Sequence, residues 1–381
     1  MKVFFLLIFW FLWFLNFSSR AIISPLLPVI EDEFTLSHAQ AGSLFSFVSA
    51  GYTTALFLAG SLSPRIGYKR TITVGFVIVI TSLFSLKYTT TYLSMTISVL
   101  FLGIGAGIYM PSVIPLITST FRRENWGKVL SIHSMAAPFG FFFVPILTAF
   151  ALRIIHWKTI FPILGGACLM AIIFFWVFAV DPNPQDDRRV ALLNVIRRRE
   201  FWIITVLWTF ASASALGIYS VIPLFLVKER NLSMDLANTV FGISRIGGFC
   251  VPVLAGLFVD RFGVKRILFL VFIVTGLSTI GLALAKTFPL LVAMLLLQGA
   301  VYSSFFPVGQ VVISRFTSLR ERSAFIGGTM ATAGIFGVGL TPLILGAIAD
   351  AWNFQSGILV LGILTCLSCL SLAFLQIETE G

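Results

Sequence analysis

Two arginines, Arg20 and Arg245, sit near the middle of apolar stretches long enough to cross a bilayer, and no Asp or Glu lies at comparable depth in the 381 residues. A cation at that depth costs about 2.5–3.5 kcal/mol on insertion scales, so intramembrane charges usually face a cavity and mark a substrate path. The missing counter-ion is therefore expected to be the substrate, a small anion. Arginine suits the task, because its planar fork makes two parallel hydrogen bonds to a carboxylate. The opposing readings are structural: Arg20 reaching the outer head groups or pairing with Glu31 or Asp32, and Arg245 holding the carbonyls of another helix.

Polar neighbours extend each candidate site. Asn16, Arg20 and Ser24 follow one another at i, i+4 steps and share one helical face. Tyr52, Tyr109, Tyr219 and Tyr302 lie near mid-span, as does Gln298, and each side chain offers a donor to a carboxylate. Membrane packing is the competing reading for all five. His133 is the only histidine inside a span. Its imidazole titrates near neutral pH, which makes it the candidate for proton coupling. Anion exchange would need no such group.

The elements that must hold these residues are membrane helices. Hydrophobic residues make up 58% of the chain and charged ones only 11%, more apolar than a soluble core requires. A span needs about 20 mostly apolar residues, and short polar loops break the chain into twelve such segments. They run near residues 3–29, 39–62, 70–87, 91–119, 128–151, 157–180, 201–227, 235–259, 265–286, 289–315, 323–349 and 354–376. MKVFFLLIFWFLWFLNF has no small-residue cleavage site before Arg20 and is read as the first span rather than a removable signal.

Charge gives the orientation. With the amino terminus inside, Lys and Arg cluster in the cytoplasmic loops near residues 65–70, 122–128, 188–199, 261–266 and 315–322, while Lys87, Arg153, Lys158, Lys228, Arg230 and Lys286 face outward. Both termini are expected to be cytoplasmic, in a bacterial inner membrane. The net charge of +11 is thus mostly topology. It is scattered over short loops with no basic domain, which argues against a nucleic-acid partner. Cys168, Cys250, Cys366 and Cys369 fall inside spans without His or acidic neighbours at ligand spacing, so no metal or cofactor is expected. No nucleophile triad, carboxylate pair or phosphate loop supports an enzyme.

An offset of 196 residues aligns the two halves: Leu36-Ser37 with Leu232-Ser233, Gly51 with Gly247, Arg65-Ile-Gly67 with Arg261-Phe-Gly263, Gly103 with Gly299, and Pro111 with Pro307. A period that long implies duplicated bundles. The expected organisation is a six-helix bundle over 1–180, a cytoplasmic linker over 181–200 and a second bundle over 201–381. Arg20 maps onto Leu216 and Arg245 onto Ser49, so each half offers one cation where its counterpart is neutral. An anion bridging both arginines would offset their repulsion and let the halves close around it.

The loops GSLSPRIGYKR at 60–70 and GLFVDRFGVKR at 256–266 resemble the signature loops of the major facilitator superfamily, and the resemblance covers the whole chain. It implies an all-α membrane protein of twelve helices in two pseudo-symmetric bundles, working by alternating access as a monomer. It also implies that Arg65, Asp260 and Arg261 form the cytoplasmic gate. Pro64 occupies the Asp position of the first copy, which leaves Asp260 to carry more of that gate. A basic residue in span one with an arginine in span eight is similar to the monocarboxylate branch, although Phe241 stands where that branch has an Asp. NFSSRAIISPLLP also resembles the organophosphate and anion:cation branches. The leading expectation is secondary transport of a small organic anion, by proton symport or anion exchange. Multidrug efflux and inorganic or phosphorylated anion antiport are the alternatives.

Overall fold

The computed structural model describes residues 2–178, 195–249, 251–317 and 319–375, and within these the side chains of Pro64 and Asp260, among a few others, fall outside the description. Every regular element among the described residues is helical. Hydrocarbon offers no partner to a free N–H or C=O, so an apolar chain of this kind satisfies its backbone within each helix.

Among the described residues, eleven helices are long and apolar enough to span a membrane. They are α1 (Val3–Phe34), α2 (His38–Ala59 within the longer helix His38–Ile66), α3 (Tyr68–Lys87), α4 (Tyr92–Thr120), α5 (Trp126–Leu152) and α6 (Trp157–Phe178), followed by α7 (Arg199–Lys228), α9 (Val264–Leu284), α10 (Phe288–Phe316), α11 (Phe325–Ala351) and α12 (Phe354–Phe374). The expected eighth span is present in pieces: Met234–Ser244, a 3₁₀ turn at Ile246–Phe249 and Val251–Phe262, together α8. Arg245 sits at the join between the first two.

Irregularity recurs beside the candidate site residues. The helix of α1 breaks after Ala21, next to Arg20 and ahead of Pro25, which lacks an N–H to continue the ladder. That of α4 breaks at Ile108, just before Tyr109, with Pro111 and Pro115 following. A π-helical segment occupies Ala213–Gly217 of α7, another Gly334–Leu340 of α11, and a 3₁₀ turn begins at Tyr302 in α10. Such segments frequently mark functional positions in membrane and soluble helices alike.

The 196-residue repeat reappears in backbone detail. Thr35 and Asn231 both adopt the left-handed conformation, with φ of 49° and 53°, and Gly67 and Gly263 both have positive φ, 102° and 82°. A Cβ on Gly103 would collide with the Val48 carbonyl oxygen, and one on Gly299 with that of Ser244, which is the equivalent residue. Close helix approach over a small residue is therefore built the same way in each copy.

By packing, the chain divides into two units: Met1–Leu36, Ser43–Asp186 and Ser233–Thr239, and Ser37–Gly42, Asp187–Leu232 and Val240–Gly381. In the first unit Lys158 Nζ meets Glu33 Oε1 at 2.6 Å and Thr89 O at 3.1 Å, tying α6 to α1 and to the end of α3. Arg153 pairs with Asp235 through both carboxylate oxygens, and that neighbouring carboxylate raises the guanidinium above its ordinary pKa. In the second unit both Asp350 oxygens accept from the first turn of α2, from His38 N at 2.8 Å and Ala39 N at 2.9 Å. Glu229 caps α12 in the same manner through the N–H groups of Phe354 and Gln355.

Candidate functional site

In the first unit the apolar run of α1 carries Asn16 and Arg20 on one face. Asn16 is fully buried and donates from Nδ2 to Ala106 O at 3.2 Å, tying α1 to α4, while its Oδ1 has no partner. Ser24 is also fully buried. Arg20 is half-buried, and among the described residues it makes no hydrogen bond or ion pair. Its guanidinium carbon lies 4.4 Å from the centre of the Tyr52 ring and 5.8 Å from that of Phe17. The ring face attracts the cation but does not neutralise it. Tyr52, a separate mid-span candidate in the sequence, lies against Arg20, and neither expected structural partner, Glu31 or Asp32, holds it.

Tyr109 and His133 form a separate cluster. The Tyr109 hydroxyl lies 2.9 Å from Phe9 O, to which it donates, and 3.2 Å from His133 Nε2. With its own proton committed, the hydroxyl accepts from Nε2–H, which assigns the histidine tautomer. The Trp13 ring stacks on Tyr109 at 5.6 Å and on His133 at 6.0 Å. This arrangement packs α1, α4 and α5 together, and sequence reading did not pair these residues because they lie far apart in the chain.

The second unit builds its cluster around Arg245, which is only 2% exposed. Its Nη1 donates to Gln298 Oε1 at 2.9 Å, and Gln298 Nε2 donates to Ser214 O at 2.6 Å. The orientation of the Gln298 amide follows from its neighbours, since a guanidinium can only donate and a carbonyl only accept. Three rings surround the guanidinium carbon: Phe241 at 5.0 Å, Tyr302 at 5.4 Å and Tyr219 at 5.6 Å. The Nε and Nη2 atoms have no hydrogen-bond partner, and no carboxylate pairs with Arg245 among the described residues. Four of the predicted residues, Arg245, Tyr219, Tyr302 and Gln298, therefore meet at one place.

Ser214 and Asn238 were not anticipated. Ser214 contributes its carbonyl from the π-helical segment and bonds Thr365 through its hydroxyl at 2.7 Å. Asn238, fully buried in the first unit, donates to Pro25 O at 3.1 Å. It lies seven residues before Arg245, two turns along α8, a spacing that polarity alone would have flagged. Of the expected gate, Arg65 and Arg261 are exposed at the ends of their helices, and the Asp260 side chain lies outside the described residues.

A family model described as Major Facilitator Superfamily matches residues 9–256 and 220–380. A hexuronate transporter of Bacillus subtilis (strain 168) is 27% identical over an alignment of 392 positions, covering 91% of this chain and 89% of that protein. The quinolone resistance protein NorA of Staphylococcus aureus is 24% identical over 349 positions, covering 88% of each. Among solved structures, that of the nucleoside transporter NupG matches 97% of this chain and 98% of its own with a TM-score of 0.80 at 15% identity.

Proposed function

The chain belongs to the Major Facilitator Superfamily, and on that premise we propose that this secondary transporter carries a small organic anion, a monocarboxylate or related acid, across the bacterial inner membrane. The observation that carries the reading is the pair of arginines within the spans that no carboxylate among the described residues neutralises: Arg20 against the Tyr52 face, and Arg245 with two buried nitrogens unpartnered. A permanent cation held there without a counter-ion is unfavourable, and an anionic substrate removes the cost each time it binds. Aromatic hydroxyls at Tyr219 and Tyr302 border the second of these cations. The likeness to a hexuronate transporter supports the same class, since a hexuronate carries a carboxylate.

Alternating access follows from binding that differs between two states of the protein. An anion that relieves an unneutralised arginine better in one of those states than in the other biases the equilibrium each time it binds. Arg65, Asp260 and Arg261 would then gate the cytoplasmic side. The likeness to NorA favours a second reading, export of drug-like compounds. One assay separates them: flux into proteoliposomes with labelled mono-, di- and phosphorylated anions and a lipophilic cation, with and without a pH gradient. Anion uptake lost in both Arg20→Ala and Arg245→Ala is expected. Unchanged uptake in both variants, or transport of the cation alone, would overturn the anion reading. Stimulation by unlabelled anion on the far side would identify exchange, and dependence on the pH gradient would identify symport.

A further inference from the structure

Resting on the reading that Arg245 meets an anion, we infer that Gln298 is a positioning residue that turns the outer edge of Arg245 into a receptor for a carboxylate. A guanidinium has two kinds of edge. Nη1 lies on the same side as Cδ, whereas Nε and Nη2 share the outer edge and present two parallel N–H bonds, the arrangement that matches both oxygens of one carboxylate. Gln298 Oε1 engages Nη1, the nitrogen that does not belong to that edge. The two nitrogens of the outer edge are the ones left buried and unpartnered.

Gln298 is itself held. Its Nε2 is anchored on Ser214 O, within the π-helical segment of α7, so its amide cannot rotate without releasing a backbone carbonyl. Across α10, Gly299 lets Ser244 approach closely, and a Cβ there would lie 3.5 Å from Arg245 Cδ. Arg245 is held at Nη1 by Gln298 and interacts with the Tyr302 hydroxyl, while Nε and Nη2 keep no hydrogen-bond partner.

The surroundings also choose between oxyanions. A carboxylate consumes both outer N–H groups with its two oxygens and has none left over. A phosphate would keep further charged oxygens, with Phe241 offering no donor and only the Tyr219 and Tyr302 hydroxyls nearby to meet them. Arg245 is only 2% exposed in this conformation, so the edge is reached when a flanking ring moves. The carboxylate-bearing substrate therefore binds in a conformation other than this one.

The test uses the purified full chain in proteoliposomes, with D-glucuronate, its uncharged amide, L-lactate and glucose 1-phosphate as probes. Wild-type protein is expected to take up at least one carboxylate in preference to the amide and the phosphate. Gln298→Ala should raise KM for that carboxylate about ten- to hundredfold while kcat changes much less, a split that general loosening of α10 would not produce. Gln298→Glu, nearly isosteric, places a carboxylate on Nη1 and should lower uptake at least as far, and it carries the test if the alanine variant fails to fold. Wild-type KM in either folded Gln298 variant, with uptake abolished in Arg245→Ala, overturns the positioning role alone. Full uptake in Arg245→Ala, or no carboxylate transport by the wild type, overturns the underlying anion reading as well. Preference for the phosphate over both carboxylates overturns the assignment of substrate class.

Discussion

Replacing Arg20 with leucine, the residue at the equivalent position of the second half, should make the empty protein more stable and the transporter inactive. Arg20 has no hydrogen-bonding or ionic partner among the described residues, and its principal contact is the Tyr52 face at 4.4 Å. Removing a cation from mid-span recovers about 2.5–3.5 kcal/mol on insertion scales, and losing a partly desolvated cation–π contact forfeits about 1–2 kcal/mol. Half-burial reduces the first figure, so the net gain is about 1 kcal/mol, or a rise of about 2 °C in Tm for a chain of this length. The assay is thermal unfolding of purified protein with and without transported anion, beside proteoliposome flux. Wild-type protein at a hundredfold excess of ligand over Kd gains about 2.7 kcal/mol, and Arg20→Leu should lose that shift along with uptake. An empty variant that melts below wild type would refute the reasoning, because Arg20 would then be a structural arginine. So would a variant that melts higher and still transports.

Three further outcomes follow from single contacts. Gly299→Ala forces a Cβ into the Ser244 carbonyl beside Arg245 and should cost about 1–3 kcal/mol of stability, read as a lower Tm with weakened anion uptake; Gly327→Ala, where an added Cβ meets nothing within 4 Å, should be near neutral. Asp350→Ala removes the acceptor for two N–H groups opening α2 and should cost about 1–2 kcal/mol by thermal unfolding, with Asp350→Asn recovering part. His133→Gln should leave the pH profile of transport unchanged, since His133 is held against Tyr109 and Trp13 as packing. A shifted profile would instead make His133 the proton carrier.

Much of the fold was legible because a membrane imposes its own rules on sequence. Span length follows from bilayer thickness, and a run such as VKRILFLVFIVTGLSTIGLAL has no alternative to a buried helix. The eighth span is the instructive departure. Its hydropathy supports a continuous helix, but the structure divides it at Arg245, where the chain turns 3₁₀ at Ile246. Composition averages over a window and cannot register where one residue interrupts a ladder. The same limit hid the π-helical segment that contains Ser214, because ASALG has no proline to announce it.

Candidate residues were legible as chemistry but not as neighbours. Depth and charge single out Arg245, whereas its bond to Gln298 spans 53 residues and the bond from Gln298 to Ser214 spans 84. Those pairings depend on helix rotation, which the uniformly apolar faces of α10 leave undetermined in the sequence. The repeat narrows the problem. Backbone devices such as Gly67 and Gly263, or Gly103 and Gly299, are kept in both halves because each half must make the same turn and the same close helix approach. Arg20 and Arg245 have no such counterpart: leucine and serine stand at the equivalent positions and serve the same helices. A residue required by the architecture common to both halves is expected in both copies, and neither arginine meets that expectation. That asymmetry is what the proposed anion-binding role requires of both arginines.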